Sequence, residues 1–284
     1  MSHFLLTKNN KFFDKENISI ISIYKNPIKL NIPNKNSVLF FFRKKSDNDD
    51  NYAIKKLRII FDLVRKKHYK YIIIMSRALC LNEEIYKKFK IPKNIKYIYI
   101  AHVKYKHKVI KFLPLGRDFR SKSSYIQADK YDNKDILCYC NFSLNTHIVR
   151  KKIYNNIKNK SFITFESMNK FLNYKISRNT YFERLGKSKF VICPRGKFED
   201  SYRFYDALYS GAIPIVVREK YHKLYFYENL PILFLNSANE FKNLTDDYLN
   251  KKYEELIKYK KDYYEGLDFK LFIEKNRKIL RKIK

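Results

Sequence analysis

The chain has 284 residues, of which 45% are hydrophobic, so it can bury a substantial core and is not a disordered polypeptide. Its formal net charge of +33 would suit nucleic acid, but the lysines are spread along the chain and accompany a surplus of Asn, Ile and Tyr, all residues with AT-rich codons. This distribution favours a diffusely basic surface over a nucleic-acid groove, and it remains compatible with a small anionic substrate.

The first part of the chain alternates short apolar runs with helical patterns. The runs are nearly continuous in Ile, Phe and Tyr, which is typical of strands covered on both faces of a parallel sheet. We therefore predict an α/β domain over residues 1–116. Its expected strands are 37–43, 69–76, 95–102 and 109–115, and its expected helices are 52–67 and about 82–90.

Residues 117–134 are polar and lack an apolar period, so we place a domain connection there. A second α/β domain is predicted over 135–284. Its expected strands are 135–142, 161–165, 189–193, 212–217 and 231–235, and its expected helices are 146–157, 177–187, 201–210 and a long stretch from 246 to the C-terminus.

The four cysteines, Cys80, Cys138, Cys140 and Cys193, form no CxxC pair, so the sequence predicts reduced, mostly buried thiols and neither zinc nor a disulfide framework. The N-terminus MSHFLLTKNNKFF lacks the features of a signal peptide, and no run of 18 apolar residues occurs. We expect a cytoplasmic protein without an integral membrane segment.

The segment KFVICPRGKFEDSYRFYDALYSGAIPIVV, residues 189–217, contains the most informative pattern. A strand ends at a loop, the loop leads into a helix, and the free N–H groups and dipole at a helix N-terminus form an anion site. Asp200 or Ser201 is predicted to cap the helix, Gly196 to permit close approach or positive φ, and Arg195 to reach an anion. Gly211 stands where a left-handed C-cap is expected.

Two residues of the predicted helix, Arg203 and Asp206, lie three positions apart on one face. An ordinary intrahelical ion pair would also explain them, just as a plain cap would explain Ser201. The pattern alone leaves phosphate binding and these structural explanations equally open.

The residues CPRG, then SYRFYDAL and GAIPIVV, resemble the signature of the exostosin family of glycosyltransferases. The upstream residues Tyr181, Leu185 and Ser188–Phe190 extend the similarity, and CNFSLNTHIVRKKIY resembles the family's first donor-domain strand and loop, with Arg150 in the basic position. The first 110 residues show no such resemblance.

The resemblance implies a GT-B fold, in which two Rossmann-like domains face each other across a cleft and the C-terminal domain holds a nucleotide sugar. Arg195 and Arg203 would then contact the diphosphate, Ser201 with Gly196 would line its loop, and Arg150 would belong to the same set of donor-binding residues. Asp206 stands where the family has Glu and would bond the ribose with a shorter reach. The implied donor is UDP-linked, the implied stereochemistry is inverting, and the acceptor would be a glycan or protein.

Fixed arginines and a helix N-terminus can stabilise the leaving diphosphate without a metal, so no metal or other cofactor is expected. The general base is not identified. His102 and Asp118 are candidates, although a single polar residue at such a place is more often structural.

Two other functions remain open. Asp47, Asn48 and Asp49 match the short DxD pattern of metal-dependent GT-A enzymes, although a solvated loop before a helix has the same composition. The charge, together with 25 Tyr and 23 Phe residues, would also suit a non-catalytic polyanion or nucleic-acid binder.

Overall fold

The computed structural model describes residues 19–21, 32, 34–41, 50–75, 90–100, 107–113, 115, 133–166, 176–196, 199–218 and 230–260. Two compact units divide the chain, of which the first includes Met1–Leu115 and the second is Gly116–Asp268. Only 133 and 134 of the predicted connection fall within the described ranges. Across those ranges, no helix has the length and apolarity needed to cross a bilayer.

The first unit contains a parallel sheet whose strands follow chain order, as expected from its nearly continuous apolar runs. Helix α1 packs Leu57, Ile60 and Val64 against Leu39 and Ile73 of this sheet. Strand β1 is too short to stand out in the sequence and was not predicted, and the helix predicted near 82–90 lies outside the described residues. The elements are β1 (Ser19–Ile21), β2 (Ser37–Phe41), α1 (Asp50–Arg65), β3 (Tyr71–Met75), β4 (Ile95–Ile100) and β5 (Ile110–Phe112).

The second unit repeats the α/β alternation, and every strand predicted for it is present, with ends that differ by no more than two residues. The predicted long C-terminal helix ends as an α-helix at Leu256, continues as a 3-10 turn to Lys260, and beyond that lies outside the described residues. The elements are β6 (Ile136–Cys140), α2 (Ile148–Ile157), β7 (Ile163–Phe165), α3 (Arg178–Gly186), β8 (Ser188–Ile192), α4 (Tyr202–Tyr209), β9 (Ile213–Val217), β10 (Leu233–Leu235) and α5 (Asp246–Leu256).

The sheet of the second unit has the strand order β10-β9-β8-β6-β7, and all its pairs are parallel. The chain leaves β6 for β7 on one side and then returns to place β8 on the other side. In open α/β sheets, ligands bind outside the carboxyl ends of the strands at the point where the strand order reverses. This switch point therefore lies between β6 and β8.

The core of the second unit accounts for the composition of its strands. Phe190, Ile192 and Ile215 are fully buried and pack with Ile153 and Ile157 of α2. Apolar side chains are needed on both faces of these strands, because helices cover both, so the sequence shows runs rather than alternation.

Three α-helices of the second unit begin at a side chain that accepts a bond from the helix backbone. His147 Nδ1 accepts from the Val149 amide at 3.2 Å at the start of α2. Ser177 Oγ and Thr245 Oγ1 do the same for α3 and α5, at 3.0 and 3.2 Å. Each bond satisfies one of the amides that a helix start leaves unpaired.

Candidate functional site

The loop between β8 and α4 lies at the carboxyl edge of the sheet, beside the switch point. Strand β8 ends at Ile192 and α4 begins at Tyr202, so the strand, loop and helix predicted from the sequence are confirmed. Residues 197 and 198 of the loop lie outside the described residues. The N-terminus of α4 thus occupies the position in which α/β proteins hold phosphate groups.

The start of α4 differs from that of its neighbours. Ser201 occupies the N-cap position with extended backbone, but its side chain makes no cap hydrogen bond, so the predicted cap bond is not formed. The neighbouring Asp200 is buried, and its carboxylate accepts from the Ser201 amide at 3.0 Å and from the Tyr205 hydroxyl at 2.9 Å. The Ser201 hydroxyl is therefore not committed to the helix.

Arg203 lies in the first turn of α4, and its Nε is buried without a hydrogen-bond partner among the described residues. Burial raises the pKa of the Cys193 thiol and of the Tyr139 hydroxyl, and the positive charge of Arg203 opposes both rises. The same charge opposes the raised pKa of Tyr181 on α3. Arg203 therefore places its charge close to the carboxyl ends of β6 and β8, with a donor that no described residue satisfies.

Asp206 lies one turn further along α4 and is 8% exposed. Its Oδ2 accepts from the Tyr181 hydroxyl at 3.4 Å. Burial and the charge of Asp206 together raise the pKa of Tyr181 well above its ordinary value. Asp206 thus contacts α3, and its predicted bond to a ribose remains a prediction.

The two glycines of this segment, Gly196 and Gly211, are suited to their positions for different reasons. A Cβ at Gly196 would lie 3.3 Å from Arg150 Nη2, so of the two predicted reasons for this glycine the structure indicates close approach. Gly211 has φ of 70°, which confirms the predicted left-handed cap at the end of α4.

Arg195 lies near the β8 end of the loop. Its Nη2 forms an ion pair with Glu199 Oε1, near the α4 end, at 3.2 Å. A pocket opens beside this ion pair, between the loop, α2 and the end of β9. In this pocket Ser201 lies beside apolar side chains from α2, α4 and β9. The pocket is lined by Val149, Ile153, Cys193, Pro194, Arg195, Glu199, Asp200, Ser201, Phe204, Val216 and Val217.

Arg150, in the first turn of α2, is 6% exposed and points into the same region. It donates to main-chain carbonyls of the β8–α4 loop and of the loop after β6. Burial and the nearby charge of Arg203 lower its pKa to about 10, so it remains protonated at neutral pH. The sequence places Arg150 among the donor contacts, and the structure places its guanidinium against the main chain that surrounds the site.

A polar network beside Arg203 was not predicted. The Tyr139 hydroxyl donates to Glu166 Oε2 at 2.7 Å and accepts from Asn141 Nδ2 at 2.9 Å, while Arg184 Nε donates to Glu166 Oε1 at 3.0 Å. Tyr139 lies in the apolar run ILCYC and reads as a core residue. Only the position of Glu166, directly after a strand, could have suggested a place at the edge of the sheet.

Several residues singled out from the sequence lie outside the described ranges, namely the two candidate bases His102 and Asp118 and the DxD residues Asp47, Asn48 and Asp49. Within the described ranges, no three His, Cys, Asp or Glu residues lie close enough together to hold a metal ion. The described Cys138, Cys140 and Cys193 are buried free thiols.

Solved structures resemble the chain at low sequence identity. An alpha-glucosyltransferase in complex with UDP and a 13-mer DNA matches with a TM-score of 0.50 and 12% identity, over 96% of this chain and 93% of that chain. An alpha1,3-fucosyltransferase matches with a TM-score of 0.49 and 15% identity, over 87% and 78%. A glycosyltransferase from Rickettsia africae matches with a TM-score of 0.46 and 10% identity, over 96% and 79%.

The fold class predicted from the sequence, the α/β GT-B type with parallel sheets, is confirmed. No curated protein matches the chain by sequence. A family model, the RXYLT1 C-terminal domain, matches residues 119–275, which is more than half of the chain and includes the whole strand, loop and helix segment described above. The chain therefore belongs to the RXYLT1 C-terminal domain family and is an exostosin-like glycosyltransferase.

Proposed function

We propose that the second unit binds the diphosphate of a nucleotide sugar at the N-terminus of α4, and that the protein transfers the sugar to a hydroxyl of a glycan or protein acceptor. The observation that carries this proposal is the pair of uncommitted donors at that helix start. Ser201 has no cap bond, and Arg203 Nε is buried without a hydrogen-bond partner in the part of the chain that the structure describes. A diphosphate oxygen would satisfy both groups.

The donor is a UDP-linked sugar. The alpha-glucosyltransferase that shares the fold is described in complex with UDP, which supports this choice of nucleotide. The resemblance of CPRG and SYRFYDAL to the exostosin signature points the same way.

The reaction is a displacement at the anomeric carbon with inversion, as the resemblance implies. The acceptor oxygen forms a bond to that carbon while the carbon–oxygen bond to the β-phosphate breaks and its electron pair stays on the diphosphate. The acceptor proton passes to a general base, for which His102 and Asp118 remain the candidates.

The transfer is metal-independent. The departing diphosphate gains negative charge in the transition state, and Arg203, Arg195 and the dipole of α4 would offset it where the charge develops. Groups that are already fixed in the folded protein need no reorganisation to do so. EDTA is therefore expected to leave both UDP binding and turnover unchanged.

Thermal unfolding with UDP, UDP-sugars and a short RNA tests the proposal on the wild type and on Arg203→Ala. A ligand that binds only the folded state stabilises it by about 2.7 kcal/mol at one hundred times its dissociation constant. We expect UDP to raise the melting temperature of the wild type, with and without EDTA, and not that of Arg203→Ala.

Arg65→Ala is the matched control, because it also removes one arginine but lies in the first unit, where Arg65 pairs with Asp62. This variant should keep the full UDP response. If RNA raises the melting temperature of the wild type and no nucleotide does, the protein is a polyanion binder. A UDP response that disappears in EDTA would instead indicate a metal-dependent site.

A further inference from the structure

Arg150 occupies the junction between the two loops that flank the switch point. It lies in the first turn of α2, just after the β6–α2 loop, and its side chain reaches across to the β8–α4 loop. These are the two connections between which an open α/β sheet places its ligand. A contact that joins them therefore affects the shape of the site directly.

All three nitrogen atoms of the guanidinium contact acceptors in this junction. Nε donates to the Arg195 carbonyl at 2.8 Å, and Nη2 points to the Pro194 carbonyl at 3.4 Å. Nη1 donates to the Ser143 carbonyl at 3.0 Å and to Thr146 Oγ1 at 3.2 Å. Two acceptors thus come from each loop.

The surroundings of the guanidinium are shaped to fit it. A Cβ at Gly196 would lie 3.3 Å from Nη2 and 3.5 Å from Thr146 Cγ2, which is tighter than ordinary contact. The Phe142 ring centroid lies 5.7 Å from the Arg150 Cζ. Gly196 therefore gives the loop room to close over the side chain.

We propose that Arg150 is a positioning residue that fastens the β6–α2 loop to the β8–α4 loop and so holds the donor loop in its binding shape before the nucleotide arrives. The inference rests on the proposed function and deepens it. Arg150 acts through the carbonyls of Arg195 and Pro194, and the diphosphate is contacted by other residues of the loop.

Arginine is the residue that this role requires. Its planar fork carries five N–H donors at fixed angles, whereas lysine offers three donors on a single flexible nitrogen. A lysine at position 150 would keep the positive charge but could not span acceptors from both loops. The conservative substitution therefore separates a fastening role from a purely electrostatic one.

The test combines hydrogen exchange of the ligand-free protein with calorimetric measurement of UDP affinity, on the wild type, Arg150→Lys and Arg150→Met. We expect the amides of 143–147 and 195–196 to exchange at least tenfold faster in both variants. We expect UDP affinity to fall at least tenfold, with the lysine variant within threefold of the methionine variant.

Two further variants keep the test decisive. Gly196→Ala leaves Arg150 in place but crowds Nη2, so it should also speed exchange in both loops and weaken UDP binding several-fold. Arg65→Lys is the control, since Arg65 also donates to a main-chain carbonyl, that of Lys90, but in the first unit. It should change neither the loop amides nor the UDP affinity.

Unchanged exchange in the ligand-free Arg150 variants would overturn the proposal, whatever their UDP affinity. So would an Arg150→Lys variant that binds UDP like the wild type, because charge alone would then suffice. Faster exchange with unchanged UDP affinity would reduce Arg150 to a structural residue and likewise overturn it. If the wild type binds no UDP at all, the proposed function fails, while the exchange measurement still decides whether Arg150 fastens the loops.

Discussion

Ser201 shows how a single hydroxyl can serve either the helix or a ligand. In most helices a serine at the N-cap accepts from an amide of the first turn, as Ser177 does for α3. In α4 this bond is missing, and Asp200 takes the Ser201 amide and the Tyr205 hydroxyl instead. The serine side chain is thereby left to an incoming group, and the helix start keeps its positive end exposed to that group.

Replacing Ser201 by Ala is expected to change the free energy of unfolding by only a few tenths of a kcal/mol, because no cap bond is lost. The matched variant Thr245→Ala removes a real cap bond, from the Tyr248 amide at 3.2 Å, and should cost about 1 kcal/mol. Urea unfolding of both variants measures the two values.

The same pair of variants also separates stability from binding. Ser201→Ala should weaken UDP binding, while Thr245→Ala should bind UDP like the wild type at a temperature well below its unfolding. Equal losses of stability in the two variants would mean that Ser201 does cap α4 in solution.

At the scale of the element, α4 ends as sharply as it begins. The Gly211 amide donates to the Leu208 carbonyl at 2.9 Å, and the Ala212 amide donates to the Ala207 carbonyl at 2.9 Å. These two bonds, with Gly211 at φ of 70°, form a Schellman motif. The chain is thus turned directly into β9, which keeps α4 short and its N-terminus at the edge of the sheet.

Gly211→Ala should lower the free energy of unfolding by about 1 to 2 kcal/mol, because an L-residue with a Cβ is strained in the left-handed region. Gly211→Asn should lose less, since Asn tolerates this conformation better than other residues. Chemical denaturation of the two variants checks the order. If the alanine variant is as stable as the asparagine variant, the strain argument is wrong.

The elements of the second unit were predictable because their signals are local. The apolar run KFVIC, the loop after it and Gly211 each determine structure within a few residues of themselves. The bonds of Arg150 were not predictable, because carbonyl acceptors belong to every residue and carry no side-chain signature. The pairing of Tyr139 with Glu166 likewise joins residues far apart in sequence, which only the strand order brings together.

At the scale of the whole molecule, part of the basic surplus serves the fold. Lys134 donates to the Gly186 carbonyl and, at 3.2 Å, to the Ser210 carbonyl, so it joins the C-terminal ends of α3 and α4. A cation is favoured there, because the carbonyls at a helix C-terminus carry partial negative charge. Lys160 similarly donates to the Leu244 carbonyl at 2.7 Å. Such lysines show that part of the positive charge stabilises the fold.

The stability of the protein should depend on alkaline pH through its buried thiols. Cys138, Cys140 and Cys193 are buried, and burial raises the pKa of each thiol. In the unfolded chain these thiols ionise at about pH 8.5. Above that pH the unfolded state binds fewer protons than the folded state, so the free energy of unfolding falls as the pH rises.

One pH unit above the ordinary thiol value, each thiol that stays neutral in the folded state lowers the stability by about 1.4 kcal/mol, so three lower it by about 4 kcal/mol. Urea unfolding of the whole protein at pH 7 and at pH 9.5 measures this loss. The control replaces Cys138, Cys140 and Cys193 by Ala, which lowers stability at both pH values through lost packing but should remove most of the difference between them. A difference that persists in the triple variant would assign the alkaline loss to other groups, because the thiols would then no longer be present to cause it.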